Sequence, residues 1–285
     1  MSILALGLLL LAAAVHAGWN LSVKLADEKW IFMWWALLVG SLAFAPLLLV
    51  GAPLPGNVWP YVLGSALAEA AYFLALANAY RLADFSLAYP IARGAAPALL
   101  ALWAVVWLDE DLRSGGVLGL VVLILGLMVV ASTPRRAPDR SGGGARSGVL
   151  AALAVAMLIS LYSVIDGAAV RFAPPATYNA AITGTTALLI TLVTLLRYDR
   201  QALLAVWRLQ WPKIVLVGPL IPLSYTLVLV AYTLAPVAYA GAVREVSVVL
   251  AALAGWLWLG EPLGGTRVVG ALLICAGIVA IALLG

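Results

Sequence analysis

The chain has 285 residues, 65% of them hydrophobic and 10% charged, with a mean hydropathy of +1.11 and a formal net charge of +4. Soluble domains carry about 25% charge, and a chain of this length leaves too much surface exposed to hide so many apolar groups from water. A bilayer removes that conflict, so the composition excludes a soluble globular protein and points to an integral membrane protein. The basic residues fall between apolar runs, which argues against a nucleic-acid partner and for topology signals. The single cysteine, Cys275, lies in the last apolar run; it rules out an intramolecular disulfide and reads as a small packing residue.

A spanning helix needs about 20 predominantly apolar residues. Ten segments qualify: 2–23, 30–50, 58–80, 84–108, 115–132, 148–170, 175–197, 212–234, 236–259 and 266–284. The first lacks a preceding Lys or Arg, so it is expected to remain as a span although Ala14–Val15–His16–Ala17 loosely imitates a cleavage site. Most separators are short and carry charge or turn residues, such as Asp27–Glu28–Lys29, Asp109–Glu110–Asp111 and Pro174–Pro175. Residues 133–147 form the one long separator, a flexible basic linker rich in Arg, Pro, Ser and Gly. It divides the chain into 1–132 and 148–285, each with five spans.

The halves are related. Shifting 93–126 by 151 positions onto 244–277 lays Arg93 on Arg244, Trp107 on Trp258, Glu110 on Glu261, Gly119 on Gly270 and Gly126 on Gly277. Five is odd, so the second half lies upside down relative to the first. The expected fold is therefore an all-α membrane protein of ten transmembrane helices, arranged as two inverted five-helix repeats around a central cavity. Twelve of the sixteen Lys and Arg fall in the separators after odd-numbered spans, two (Arg113 and Arg171) after even-numbered ones, and Arg93 and Arg244 within spans. The positive-inside bias thus places the linker in the cytoplasm and both termini outside it.

Ionisable groups inside a span cost about 2.5–3.5 kcal/mol or more at its centre, so they face the interior, pair, or work. Arg93 and Arg244 sit near mid-span at matching repeat positions and suit an anionic group through their planar forks. The alternative is a structural role, with both neutralised by Glu69, Glu245 or Asp166. His16 and Asn20 share one side of the first span, with Trp19 nearby; Glu69 and Tyr72 share a face of the third; Tyr89 and Arg93 of the fourth; Tyr162 and Asp166 of the sixth. Tyr225 and Tyr232 stripe the eighth, and Glu245 follows Arg244 in the ninth. Substrate binding is accordingly assigned to His16, Trp19, Asn20, Glu69, Tyr72, Tyr89, Arg93, Tyr162, Asp166, Tyr225, Arg244 and Glu245. Trp30, Trp34, Trp35, Trp59, Trp207 and Trp211 read as interfacial belt residues. The glycines spaced by seven in the fifth and tenth spans mark packing surfaces or a homodimer contact.

The sequence holds no Walker-type phosphate loop, no metal-ligand cluster and no reactive pair, so no cofactor, metal or catalytic residue is expected. A secondary transporter of a small polar solute fits best; a membrane-embedded enzyme and a non-transporting scaffold are the alternatives. Four stretches carry a resemblance: His16–Ala17–Gly18–Trp19–Asn20, Pro90–Ile91–Ala92–Arg93 ending at Asp109–Glu110, Tyr162 through Gly167, and Arg244–Glu245–Val246–Ser247 ending at Gly260–Glu261. Over essentially the whole chain the sequence resembles the EamA family of the drug/metabolite transporter superfamily. The His-Trp-Asn and Arg-Glu-Val-Ser details are similar to a subgroup associated with phosphonate utilisation. The resemblance implies a transporter in a bacterial plasma membrane, and for some relatives cytoplasmic termini, against which the charge count here places them outside.

Overall fold

A computed structural model describes residues 1–82, 85–132, 145–259 and 264–285, and among these every regular element is helical. The elements are α1 (Ile3–Lys24), α2 (Lys29–Phe44), the short α3 (Leu47–Val50), α4 (Trp59–Leu82), α5 (Phe85–Leu108), α6 (Ser114–Ala131), α7 (Ala145–Ala169), α8 (Pro175–Arg197), α9 (Arg200–Tyr232), α10 (Val237–Val243), α11 (Val246–Leu259) and α12 (Gly265–Leu284). Seven of the described helical stretches are long and apolar enough to cross a membrane, and Ala92–Leu108 and Ser114–Val130 are shorter apolar helices. Their outward faces leave side chains such as Leu49, Leu188, Leu196 and Leu272 largely exposed, as a lipid-facing surface requires.

Local chemistry sets the helix ends. Ser2 caps α1 by accepting from the Ala5 amide at 3.2 Å, and Pro175 occupies the first turn of α8, where its missing N–H costs nothing. Three expected spans differ. The 30–50 span is present as Lys29–Val50, but its helix breaks after Phe44, where Pro46 has no amide to continue the ladder, and resumes at Leu47. The 212–234 helix starts twelve residues earlier, at Arg200, where the Asp199 carboxylate accepts from the Ala202 amide at 2.7 Å. Arg200, Arg208 and Lys213, expected in a separator, ride instead on the helix itself. The 236–259 helix is interrupted at Arg244 and Glu245, between α10 and α11. Most of the 133–147 linker lies outside the described residues; its last residues already belong to α7.

α7 packs against α4 and α5, while α9 packs against α1 and α2; α8 touches both α2 and α4, and α11 lies on α1. α6 and α12 pack mainly on each other. Their glycines explain the closeness: a Cβ at Gly119 would sit 2.8 Å from the Gly277 carbonyl, and one at Gly126 2.8 Å from that of Gly270. Within one chain the glycine faces are thus used against each other, leaving the opposite faces, with Leu118, Leu125 and Leu272, for lipid or a second copy. Cys275, expected as a packing residue, is exposed.

Several of the tryptophans stitch helices together. The indoles of Trp30 and Trp34 donate to the Thr194 and Thr191 hydroxyls of α8 at 3.0 and 2.9 Å, and Trp35 donates to the Leu203 carbonyl of α9 at 3.0 Å. Trp207 packs on Trp35, ring centres 4.7 Å apart. Trp59 and Trp211 stay about half exposed. The chain ends meet: the Met1 ammonium donates to the carbonyls of Ala282 and Gly285 at 3.3 and 3.5 Å, so both termini lie at one face.

Candidate functional site

The interruption between α10 and α11 places three charges together. Arg93 of α5 donates through Nη1 to Glu245 Oε2 at 2.8 Å, and Nε of Arg244 lies 3.9 Å from Glu245 Oε1. The Glu245 side chain is 2% exposed, against 23% for Arg93 and 12% for Arg244. One buried carboxylate therefore faces two guanidinium groups, and the cluster keeps one net positive charge. The two arginines are not equivalent. Arg93 is committed to Glu245 at hydrogen-bond distance. Arg244 makes the longer contact through Nε, and its guanidinium is also within electrostatic range of Tyr162, Tyr225 and Tyr232. The repeat explains the asymmetry: the 151-residue shift that pairs the arginines puts Gly94 opposite Glu245, so only the second half carries the carboxylate.

A second group stands on α7. Asp166 is fully buried; its Oδ1 accepts from the Tyr178 hydroxyl at 2.8 Å and its Oδ2 from the Tyr225 hydroxyl. Tyr162, one turn away, is edge-on to Tyr225 and Tyr72, with ring centres 6.0 and 6.2 Å apart. Glu69 of α4 is half-buried and accepts from the Thr186 hydroxyl at 2.9 Å. Arg244 lies within electrostatic range of Asp166, Glu69, Tyr162, Tyr225 and His16, which joins both groups into one polar region.

The expected residues fare unequally. Arg93, Arg244 and Glu245 come together directly, as do Tyr72, Tyr162, Asp166 and Tyr225, with Glu69 linked through α8. His16 packs edge-on against Trp19 at 4.7 Å, and the Trp19 indole donates to the Ser224 hydroxyl at 3.3 Å, tying α1 to α9. Asn20 turns back on its own helix, donating to the His16 carbonyl at 3.1 Å. The Tyr89 side chain lies outside the described residues. The sequence reading missed α8. Tyr178 and Thr186 hold the two carboxylates, and Asn179 donates to the Pro222 carbonyl and Thr226 hydroxyl at 2.7 and 2.8 Å. The signal was present, since Tyr178, Ile182 and Thr186 recur every four residues on one helix face.

A bundle of apolar helices with apolar outward flanks, enclosing arginines, carboxylates and tyrosines, defines a multi-pass integral membrane protein with a polar interior. Comparison with known proteins agrees with that class. The EamA-like transporter family matches residues 3–132 and again 146–283. The chain belongs to the EamA-like transporter family. Among solved proteins, one crystal structure aligns over 99% of this chain and 96% of its own, with a TM-score of 0.76 and 22% identity. At that identity the likeness speaks for the fold alone.

Proposed function

We propose that the protein is a secondary transporter of a small anionic or zwitterionic metabolite, such as an amino acid or an aminophosphonate. It works by alternating access between two inverted five-helix repeats. The observation that carries this reading is the Arg93–Glu245–Arg244 cluster, in which two guanidinium groups share a single carboxylate at a break in a helix. Broken helices near the middle of a membrane are where transporters place substrates, because freed backbone groups and half-helix ends add to the side chains. The anionic end of the solute binds Arg244, and an amine is met by Asp166 or Glu69. Tyr72 and Tyr162 supply cation–π attraction. A purely cationic solute fits poorly beside two arginines.

The packing pattern supports the inverted repeat. Exchanging the halves turns α1 on α9 into α7 on α4, α2 on α9 into α8 on α4, and α5 on α7 into α11 on α1, each of which occurs; α6 on α12 maps to itself. Termini at one face require an even number of crossings, as ten spans give.

A thermal-shift screen of the purified protein against amino acids, phosphonates and amines tests the substrate class, since a ligand stabilises by RT ln(1 + [L]/Kd). Anionic or zwitterionic compounds are expected to raise the melting temperature; a rise confined to simple amines overturns the reading. For topology, a reporter active only in the periplasm is expected to be active when fused after Gly285 in a bacterial inner membrane. A cytoplasmic reporter active at that position would place both termini inside, against the charge bias.

A further inference from the structure

α9 is the longest of the described helices, and one stretch of it carries charge on its outer side. Its 33 residues rise about 50 Å, against about 30 Å of hydrocarbon. Packing on α2 fixes its depth. The span Lys29–Val50 has Gly40 at its middle, and Gly40 lies against α9: a Cβ there would sit 3.0 Å from Pro222 Cδ, and one at Gly218 2.9 Å from the Ala36 carbonyl oxygen. Gly218 is therefore close to mid-membrane. Helical rise then puts Lys213 about 8 Å from that level and Arg208 about 15 Å, at the edge of the hydrocarbon, with Arg200 beyond it. The composition changes at the same place. Arg200, Gln201, Arg208, Gln210 and Lys213 fall within 200–213, and residues 214–232 carry no charge. This end of α9 is at the face opposite the chain ends, since α1 runs from Met1 to Lys24 and Ala26, just past it, clusters with Ile214 and Val217.

Arg208 and Lys213 are both exposed on the outside of the bundle. Leu209 and Leu216, one turn to either side of Lys213, are 75% and 69% exposed, and Trp211 is 51% exposed. The inner side of the same turns is occupied, with Leu203, Val206 and Ile214 buried and Trp207 packed on Trp35. A lysine on an outward flank below the hydrocarbon edge has no water around it to solvate its ammonium. Helical side chains lean toward the helix N-terminus, which for α9 is the end nearer this membrane surface. The four-carbon stem lets the ammonium reach along Leu209 toward the level of Arg208.

We propose that this outer face of α9 binds an anionic phospholipid, its phosphate between Lys213 and Arg208 and its acyl chains on Leu209, Trp211 and Leu216. The phosphate supplies the charge that complements both cations, and the chains cover the exposed apolar surface between them. A soluble anion offers only the first. Basic residues at a membrane surface draw anionic lipid strongly only within a Debye length, and this pair lies at the headgroup level or reaches it. Of the acids at the same face, Asp199 is used as the cap of α9, and Asp27 and Glu28 lie in the turn before α2. The lipid is a partner distinct from the transported solute, and it sets the depth of the helix that carries Tyr225 to Asp166.

The test follows melting of the detergent-purified protein as phosphatidylglycerol, phosphatidylcholine or glycerol 3-phosphate is added, since a bound ligand raises the melting temperature with its concentration. Phosphatidylglycerol is expected to stabilise, and the other two are not. Arg208→Gln and Lys213→Gln are each expected to weaken the apparent affinity for phosphatidylglycerol about fivefold, and the double variant about 25-fold. Lys213→Leu, which suits hydrocarbon at any depth, is expected to match Lys213→Gln. Arg113→Gln is the control, because Arg113 is exposed and lines a cleft with Met1 at the other face. Equal stabilisation by phosphatidylcholine or by glycerol 3-phosphate overturns the proposal. So does an unchanged affinity in the double variant, or an equal loss in Arg113→Gln. None of these outcomes touches the solute reading, which is tested with amino acids and phosphonates.

Discussion

Arg244→Lys is expected to weaken binding of the anionic or zwitterionic solute by about 10- to 100-fold while the protein still folds. A hydrogen bond between charged groups contributes about 1.5–3 kcal/mol net, and lysine keeps the charge but loses the second arm of the fork. Arg93→Lys is expected to act differently. Arg93 is spent on Glu245 at 2.8 Å, so its loss strikes stability first and affinity only through the position of Glu245. Arg93→Ala should destabilise most, by about 3 kcal/mol, because it leaves a carboxylate whose side chain is 2% exposed with only the longer 3.9 Å contact to Arg244. Affinity by calorimetry and melting temperature, measured on the same preparations, separate these effects. Equal affinity losses in the two lysine variants would show both arginines touching the solute. Unchanged affinity in both would make the cluster a structural ion-pair network, and the anionic substrate would fall with it.

Gly277→Leu should cost about 3 kcal/mol or more and lower the melting temperature by several degrees. A Cβ at Gly277 would lie 2.6 Å from the Gly119 carbonyl oxygen and 2.7 Å from the Leu123 amide nitrogen. Both are backbone atoms of α6, so neither can swing aside, and α6 and α12 must separate along their length. Gly7→Leu is the control, since nothing lies within 4 Å of a Cβ there. Melting followed by size-exclusion chromatography reads both variants. A Gly277→Leu protein that melts with its parent would mean that the α6–α12 contact contributes little.

The kind of molecule this is can be read from residue order alone. Hydropathy marks spans because lipid forbids unsatisfied backbone groups, which leaves helix as the spanning conformation for apolar runs of this length. Duplication left Arg93 and Arg244, and Glu110 and Glu261, in matching positions, and rare residues at a fixed offset are legible without a structure. Charged residues within spans were equally legible, because burying them is costly enough that few survive without a role. How those residues differ is set by helix packing. That Arg93 meets a carboxylate at hydrogen-bond distance and Arg244 at a longer one depends on where that carboxylate, Glu245, reaches across the bundle. That Asp166 is held by Tyr178 and Tyr225 depends on α7, α8 and α9 meeting, and a lone tyrosine or threonine on an apolar helix gives no such sign in advance. The helix interruption at 244–245, the extension of α9 back to Arg200 and the reach of Glu110 to α10 are likewise set by packing and capping between segments distant in the chain. Periodicity reports which face of a helix is polar; which partner that face meets is fixed by how the helices pack.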